Sequence, residues 1–425
     1  MTTQAPSTSS TTSPSFANVP PLPTELLEQI LLEDVLKQRD LAACCLVSRR
    51  MRTVAEPHLY TKLTVKMGAG QWPDRPTGHD SFLWIDTVRA SSRLAALVKV
   101  IVVRRLGSEP QDLLSTSPVA LALAVCPNID FIDCEVPLLL RHVDFPALYA
   151  AQSTLTCIDT LSLQDFPRDW NILLALPNLV ELGLGLGACA GGPGEDAPRP
   201  EFRLEALRLL DIDAQGPGTG PDKSLFDALL HLSHDSLTDL EMRATRRMTT
   251  MINLEQFPNM KNLSLLGRWS GGRPNDDEVD AAVTLLRGCR TLHGLVLCPI
   301  VQSNVIDVWH GTMPVILAAV PPTLKRLELG RMPSVALVDE ILGWLPRAVQ
   351  LDQLGLVAPS FDLGRSNPKG CAAECAAIVA AGDGATAVAC SCCARWAAEA
   401  QLWAALEVHC AAKGLDLVET ELAIF

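Results

Sequence analysis

Residues 22–60 read LPTELLEQILLEDVLKQRDLAACCLVSRRMRTVAEPHLY, and three short amphipathic helices fit within them. A stretch of this length buries too little apolar surface to form a stable core alone, so it completes its burial on a partner or on a neighbouring domain. Pro23 sets up the first helix, because its φ is already fixed and it wastes no N–H, and Glu25 follows near the positive end of the dipole. Leu26, Leu27, Ile30, Leu31 and Val35 form the apolar stripe of that helix, with Glu28, Gln29, Glu33 and Lys37 on the other side. Asp40 is placed to N-cap a second helix carrying Leu41, Cys44, Cys45 and Val47. Ser48 is placed to cap a third, with Arg49, Arg50 and Arg52 outward and Met51, Val54 and Ala55 inward.

That layout resembles the F-box. Leu22-Pro23, Glu25-Leu26-Leu27 and Ile30-Leu31 match the opening helix of the family. Asp40-Leu41 and Leu46-Val47-Ser48-Arg49-Arg50 match its middle, and Leu59-Tyr60 resembles the close common in fungal versions. The proline that often follows the first helix is missing near Lys37–Arg39. The resemblance implies a module that docks on the Skp adaptor, and so on the cullin of an SCF ubiquitin ligase. The docking residues it implies are Leu22, Pro23, Leu26, Leu27, Ile30, Leu31, Leu41, Leu46 and Val47.

Composition narrows the remaining classes. The chain has 425 residues, a net charge of −13 and fourteen cysteines, with a mass of 45.8 kDa and a mean hydropathy of +0.20. The acidic balance argues against nucleic acid, whose binding rests on Lys/Arg neutralising phosphates. No apolar run reaches the roughly eighteen residues of a membrane span; the strongest candidate, Ile172 to Gly187, is broken by Pro177 and Glu181. The cysteines sit in apolar runs and read as reduced thiols used as small hydrophobes. Residues 1–19, mostly Ser, Thr, Pro and Ala, read as a disordered leader without the basic residues of a transit peptide. A cytoplasmic or nuclear location fits these features.

An apolar-x-x-apolar-x-apolar pattern recurs from Leu97 to Leu356. Its middle positions are Val100, Ile132, Leu161, Leu182, Leu210, Leu240, Leu263, Leu295, Leu327 and Leu354. Their spacing runs from 21 residues (182 − 161) to 32 (132 − 100). Period-two alternation around each position predicts a strand with one buried face, with helices between, as over Ser224–Leu232 and Glu278–Arg287. Helix-exit phrases precede several strands: Cys126-Pro127-Asn128-Ile129, Leu176-Pro177-Asn178-Leu179 and Phe257-Pro258-Asn259-Met260. Proline stops the helix, and the adjoining Asn is expected to bond its own backbone in the turn.

These strand-and-helix units resemble leucine-rich repeats over residues 90–360, although several are long and the asparagine often found after the strand is mostly missing. Such units bury their stripes only by stacking. The expected fold class is α/β. An all-helical F-box (20–65) is followed by a leucine-rich-repeat-like β/α solenoid (66–360) and a helical C-terminal cap (361–425). The helices of residues 22–60 would cover one end of the repeats through Leu59–Val65 and Trp84–Val88. In the cap, Trp396, Leu402, Trp403, Leu406 and Val408 are spaced as a buried stripe. Gly/Pro-rich stretches 187–200, Gly216–Gly220 and Ser270–Pro274 read as loops.

If the leucines face the core, their neighbours face out. The outward row is then Ser162, Gln164, Asp211, Asp213, Asp239, Glu241, Arg243, Ser264, Arg326 and Glu328. Asp211, Asp213, Asp239, Glu241, Arg243, Arg326 and Glu328 are the candidate substrate-binding residues, suited to a basic or mixed-charge partner. The same charges also serve to keep an open sheet face solvated.

Other constellations carry less. Cys371, Cys375, Cys390, Cys392, Cys393, His409 and Cys410 supply enough ligands for tetrahedral zinc, but their Ala-rich helical context lacks the paired knuckles such sites use. No metal or cofactor is expected. His231-x2-His234-Asp235 ends a helix, where the dipole explains histidine well. Gly185-Leu186-Gly187-x2-Ala190 imitates a dinucleotide fingerprint, but the loop Gly191-Gly192-Pro193-Gly194 follows it instead of a helix N-terminus. With no catalytic pair evident, the chain reads as a non-catalytic substrate-recognition subunit of an SCF-type ligase. The alternative is a leucine-rich-repeat scaffold unconnected to ubiquitination. An enzyme hidden in the C-terminal region would lack any supporting geometry.

Overall fold

The computed structural model describes residues 22–32, 36–68, 85–106, 117–134, 153–162, 170–185, 193, 197–210, 223–243, 246–267, 276–299, 313–329, 335–356 and 404–419. The chain divides into two compact units, Met1–Leu63 and Thr64–Phe425.

The first unit is helical, with α1 (Thr24–Leu32), α2 (Gln38–Val47) and α3 (Arg49–Thr61). Pro23 accepts the first bond of α1 from the Leu27 N–H at 3.2 Å. Ser48 caps α3 as its spacing predicts, its hydroxyl accepting from the Met51 N–H at 3.0 Å. Asp40 is displaced from its expected role. α2 begins three residues earlier, at Gln38 with Lys37 as its N-cap, and Asp40 reaches back from the first turn to accept from the Lys37 N–H at 3.1 Å. One orphan donor is satisfied either way, and the carboxylate still sits at the positive end of the dipole. Leu31, Leu41, Val54, Ala55 and Leu59 are the buried residues that hold the three helices together. Arg50 ties α3 to the start of α1 by donating to the Leu22 carbonyl and, at 3.2 Å, to Thr24 Oγ1.

The second unit is built on a parallel sheet. Its strands are β1 (Lys62–Gly68), β2 (Val100–Leu106), β3 (Phe131–Cys134), β4 (Cys157–Ser162), β5 (Glu181–Gly185) and β6 (Ala206–Leu210), then β7 (Asp239–Arg243), β8 (Asn262–Gly267), β9 (Gly294–Pro299), β10 (Arg326–Leu329), β11 (Gln353–Leu356) and β12 (Asp416–Glu419). All twelve lie side by side in chain order in one sheet that does not close. Consecutive parallel strands need a crossover between them. Helices supply it, among them Ser117–Val125, Lys223–Leu230, Asp276–Gly288, Met313–Ala319 and Val335–Trp344. The expected helices over Ser224–Leu232 and Glu278–Arg287 are therefore present within about two residues at each end.

From β2 to β12, one apolar residue per strand stands in register across the sheet: Ile101, Ile132, Ile158, Leu182, Leu207, Leu240, Leu263, Leu295, Leu327, Leu354 and Leu417. All but Leu417 are at most 2 % exposed. Three of the expected positions are corrected. Val100 is half-buried and its neighbour Ile101 takes the core place, pairing with Ile132. Leu161 is buried, but a register shift in β4 makes Ile158 the partner of Leu182 and Leu161 the partner of Leu184. In β6 the buried pair is Leu207 and Leu209, so the core position falls three residues ahead of the expected Leu210. The last strand, β12, falls within the segment expected to be helical cap. Only 404–413 of that segment is helical among the described residues. There Leu406 and Cys410 are buried and Val408 is 69 % exposed, so the expected stripe is wrong at Val408, while Trp396, Leu402 and Trp403 lie outside the described residues.

Backbone and side-chain hydrogen bonds stitch successive strand-and-helix repeats together. A carbonyl at each strand entry accepts two N–H groups from the next unit, as Asp130 does from Thr156 at 2.9 Å and Cys157 at 3.0 Å. The same step repeats from Lys99 to Asp352, whose carbonyl receives Asp416 at 2.9 Å. The three Pro-Asn phrases reinforce it. Asn128, Asn178 and Asn259 donate their amides to the carbonyls of Ala96, Ser153 and Asp235, at 2.7, 3.1 and 2.8 Å. The expected local Asn turn is thus replaced by a bond to the preceding unit, which a stack offers and an isolated turn does not. Thr154, Thr291 and Thr323 donate in the same way to Ile129, Met260 and Leu292.

Candidate functional site

In the helical unit, residues implied by the F-box resemblance separate into two groups. Leu31 and Leu41 are 5 % and 7 % exposed, so they serve the unit's own core and are not free to meet a partner. Leu27 is half-buried and Pro23 is exposed. Leu22, Leu26 and Ile30 are 41 %, 44 % and 49 % exposed, and Leu46 and Val47 reach 80 % and 73 %. Leu26 and Ile30 are four residues apart on α1 and therefore share a face. Helix α1 is amphipathic with its apolar side divided: Leu31 turns inward while Leu26 and Ile30 are left to solvent. Val35 lies outside the described residues.

On the sheet, the face opposite the leucine core carries a charged group that the sequence reading missed. Arg208, between Leu207 and Leu209, stands in register with Gly183 on one side and Glu241 on the other. Its Nε donates to Glu241 Oε2 at 3.0 Å. Its NH1 reaches past β5 to Asp159 Oδ1 at 2.5 Å. Strands are spaced about 4.8 Å apart, so this second bond spans two gaps and needs an unobstructed path. Gly183 provides it by having no side chain. A Cβ there would lie 1.5 Å from the Asp159 carbonyl oxygen, which the register shift in β4 pushes toward β5. Burial raises the Glu241 carboxyl above its ordinary value, against the lowering effect of Arg208, and Asp159 raises it further.

The expected outward row is therefore only partly assembled. Asp239 and Glu241 flank buried Leu240 on the open face, and Asp239 accepts from Asn262 Nδ2 and Thr238 Oγ1, each at 2.5 Å. Arg326 and Glu328 form an ion pair with each other within β10. Arg243 belongs to β7. Asp211, Asp213 and Gln164 lie outside the described residues. Because β6 turns Leu207 and Leu209 inward, the outward member of that strand is Arg208, not an aspartate. Leu207-x-Leu209 and Leu210-x-Ile212 offer competing alternations of opposite phase, and only the partner strands decide between them.

Among the described residues no group of three or more His, Cys, Asp or Glu is placed to hold a metal ion, and the Leu186–Ala190 part of the dinucleotide-like motif lies outside them. Cys371, Cys375, Cys390, Cys392 and Cys393 lie outside them. Cys410 is a buried free thiol. Burial pushes the Cys126 and Cys289 thiols up to about 11 and about 12, and raises Cys134 and Cys157 further, the latter beside Glu181. These are packing sulfurs. His231 donates Nδ1–H to the Ala228 carbonyl at 2.9 Å, closing the end of its helix as the dipole argument anticipates. His234 stacks on Phe257 with ring centroids 5.5 Å apart.

No described helix is long and apolar enough to cross a membrane. Comparison with curated proteins gives no match. Residues 20–66 match the family model described as F-box-like, a span that takes in all three helices of the first unit and most of β1. Domains of this family are in general non-catalytic modules that bind an Skp-type adaptor, and the helices of the first unit lie within the residues that match the family model.

Proposed function

We propose that this chain is the substrate-recognition subunit of an SCF-type ubiquitin ligase. In this reading the F-box-like unit docks the Skp adaptor and, through it, the cullin. The parallel sheet and its helices form a leucine-rich-repeat-like solenoid that holds a target protein, and partner subunits supply the chemistry. The observation that carries the reading is the set of exposed apolar side chains Leu22, Leu26, Ile30, Leu46 and Val47 within the residues matching the family. Aliphatic side chains left 41–80 % exposed on a small helical unit are what a partner would cover, and few such residues dominate an interface. Leu31 and Leu41 support it from beneath. The repeat reading rests on the in-register leucines and the unit-to-unit bonds of Asn128, Asn178 and Asn259. Holding a target lysine beside the charged ubiquitin carrier would raise the rate by proximity alone.

On the open face, Asp159, Arg208, Asp239 and Glu241 replace the sequence-derived row as the residues proposed to meet the target, joined by Arg326 and Glu328. Tagged full-length chain purified from cells tests the first half of the reading. Adaptor and cullin should co-purify with it, and the L22A/P23A/I30A variant should lose both. Retention of both subunits by that variant, or their absence from the parent purification, would leave only the repeat scaffold unconnected to ubiquitination.

A further inference from the structure

Just ahead of β8, β9 and β10, three residues at the same step of the repeat carry basic side chains: Lys261, His293 and Lys325. The Lys261 carbonyl accepts from the His293 N–H at 2.7 Å, and the His293 carbonyl from the Lys325 N–H at 2.8 Å, so the three stand on adjacent strands. Neighbouring strands are about 4.8 Å apart, which puts Lys261 and Lys325 roughly 10 Å from each other at the backbone. Their preceding residues fix the phase. Met260, Leu292 and Leu324 are at most 2 % exposed and turn into the core, while Lys261, His293 and Lys325 are exposed. Arg290, also exposed, lies in the turn that leads into β9; its carbonyl accepts from Thr323 Oγ1 at 3.3 Å, which ties that turn to the next repeat.

The same step elsewhere has a different character. From β3 to β7 it carries Asp130, Thr156, Val180, Glu205 and Thr238, and Asp352 follows Lys325 at β11. The carboxylates beside the basic run are engaged with other groups. Asp239 accepts from Asn262 Nδ2 and Thr238 Oγ1, and Glu328 pairs with Arg326. Among the described residues, the side chains of Lys261, Arg290 and Lys325 make no ion pair or hydrogen bond. A chain of net charge −13 thus gathers three cations and an imidazole at one edge of its sheet, with no carboxylate bonded to them.

We propose that this edge docks an acidic segment of a protein partner, a run of carboxylates laid in extended form across the entries of β8, β9 and β10. An extended chain advances about 3.3 Å per residue, so four residues span the distance from Lys261 to Lys325. The lysines are compact charges on flexible stems and reach carboxylates at several spacings along such a run. Charge drawn out in a line matches carboxylates drawn out in a line; a lone phosphate concentrates its charge at one point and leaves the rest of the row unmet. The field of the whole chain repels a polyanion, so attraction has to come from this local group. The inference rests on the second unit being the part that holds a target, and it adds a site to the open-face residues named above. Peptide binding is read without adaptor, so its failure and failure of adaptor docking are separate results.

The test titrates full-length protein into fluorescently labelled hexaglutamate, hexaglutamine, and a glutamine hexapeptide carrying one phosphoserine, followed by anisotropy at low salt. The proposal predicts saturable binding of hexaglutamate that weakens as salt is added, none of hexaglutamine, and weaker binding of the phosphoserine peptide than of hexaglutamate. Lys261→Gln with Lys325→Gln removes two screened pairs at exposed positions and should weaken hexaglutamate about 3- to 30-fold. Lys99→Gln with Lys223→Gln makes the same change in net charge at exposed positions away from β8–β10 and should leave the affinity unchanged. Far-ultraviolet circular dichroism of both variants should match the parent. Absence of saturable hexaglutamate binding, equal losses in the two double variants, or an unchanged affinity in K261Q/K325Q would overturn the proposal. So would a phosphoserine peptide that binds as tightly as hexaglutamate, because the edge would then select a single phosphate.

Discussion

Replacing Arg208 by methionine keeps most of the side chain's length and removes its charge, which isolates the ion network across β4, β6 and β7. Two bonds are lost, to Asp159 at 2.5 Å and to Glu241 at 3.0 Å. Arg208 is 41 % exposed, so each pair is screened by solvent and contributes about 0.2–1 kcal/mol. The two carboxylates, 26 % and 29 % exposed, then face each other without a cation between them, and the combined loss is about 1–2 kcal/mol near neutral pH. The pH dependence gives a sharper test than the size. Burial already raises the folded-state pKa of Glu241, so the folded protein holds that proton more tightly than the unfolded chain does. Such a group favours folding at acid pH and opposes it as pH rises from the unfolded carboxylate value, about 4.3, through the raised folded value. Removing Arg208 raises the folded value further. The stability deficit of R208M should therefore be largest at pH 7–8 and shrink toward pH 4–5. Urea unfolding followed by far-ultraviolet circular dichroism at several pH values measures it. Glu241→Gln made together with R208M should recover part of the deficit at neutral pH. A deficit that is constant with pH, or that grows on acidification, would refute the reasoning.

Gly183→Ala should destabilise the sheet by at least about 1–3 kcal/mol, because the new Cβ would lie 1.5 Å from backbone oxygen at Asp159 and backbone cannot step aside as a side chain can; a thermal midpoint equal to that of the parent would show the close approach to be unimportant. The Cys126 and Cys289 thiols, raised to about 11 and about 12 and almost wholly buried, should resist iodoacetamide at pH 8 in the native protein and react after unfolding, read by peptide mass spectrometry. Rapid native labelling of either would contradict their packing. Asn178→Ala should cost about 1 kcal/mol and loosen the step between neighbouring units, seen as faster amide exchange around Ser153–Cys157 and Leu179–Leu182; unchanged exchange would deny the inter-unit bond its role.

Much of this arrangement is legible from residue pattern, and the exceptions have physical causes. Positions such as Leu240, Leu263, Leu295 and Leu327 are read correctly because each strand offers a single alternation with one apolar face. Leu210 misleads because Leu207, Leu209, Leu210 and Ile212 satisfy two phases at once. Leu161 misleads because the register shift in β4 is invisible without its partner strand. β12 escapes notice because it lies 63 residues beyond Leu354 (417 − 354), past a long alanine-rich stretch that breaks the spacing. In the helical unit the apolar residues are legible as a set, but one chain cannot reveal which serve its own core and which are left over. Leu31 and Leu41 become internal while Leu26 and Ile30 do not, because α1 and α2 each pack on α3 with one side only. Arg208 is missed for the plainest reason: its importance lies in Gly183, Asp159 and Glu241, which are remote in sequence.

The measurement that bears most directly on the central claim is a titration of purified Skp adaptor into the full-length chain and into two variants. Leu26→Ala with Ile30→Ala removes exposed side chains whose truncation at an interface costs about 1–2 kcal/mol each, so affinity should fall on the order of 10- to 1,000-fold with little change in thermal stability. Leu31→Ala should do the reverse in kind, lowering the stability of the helical unit through a core cavity. The account predicts saturable adaptor binding by the parent chain and selective loss in the first variant; no binding by the parent, or equal affinity after removal of Leu26 and Ile30, would contradict it.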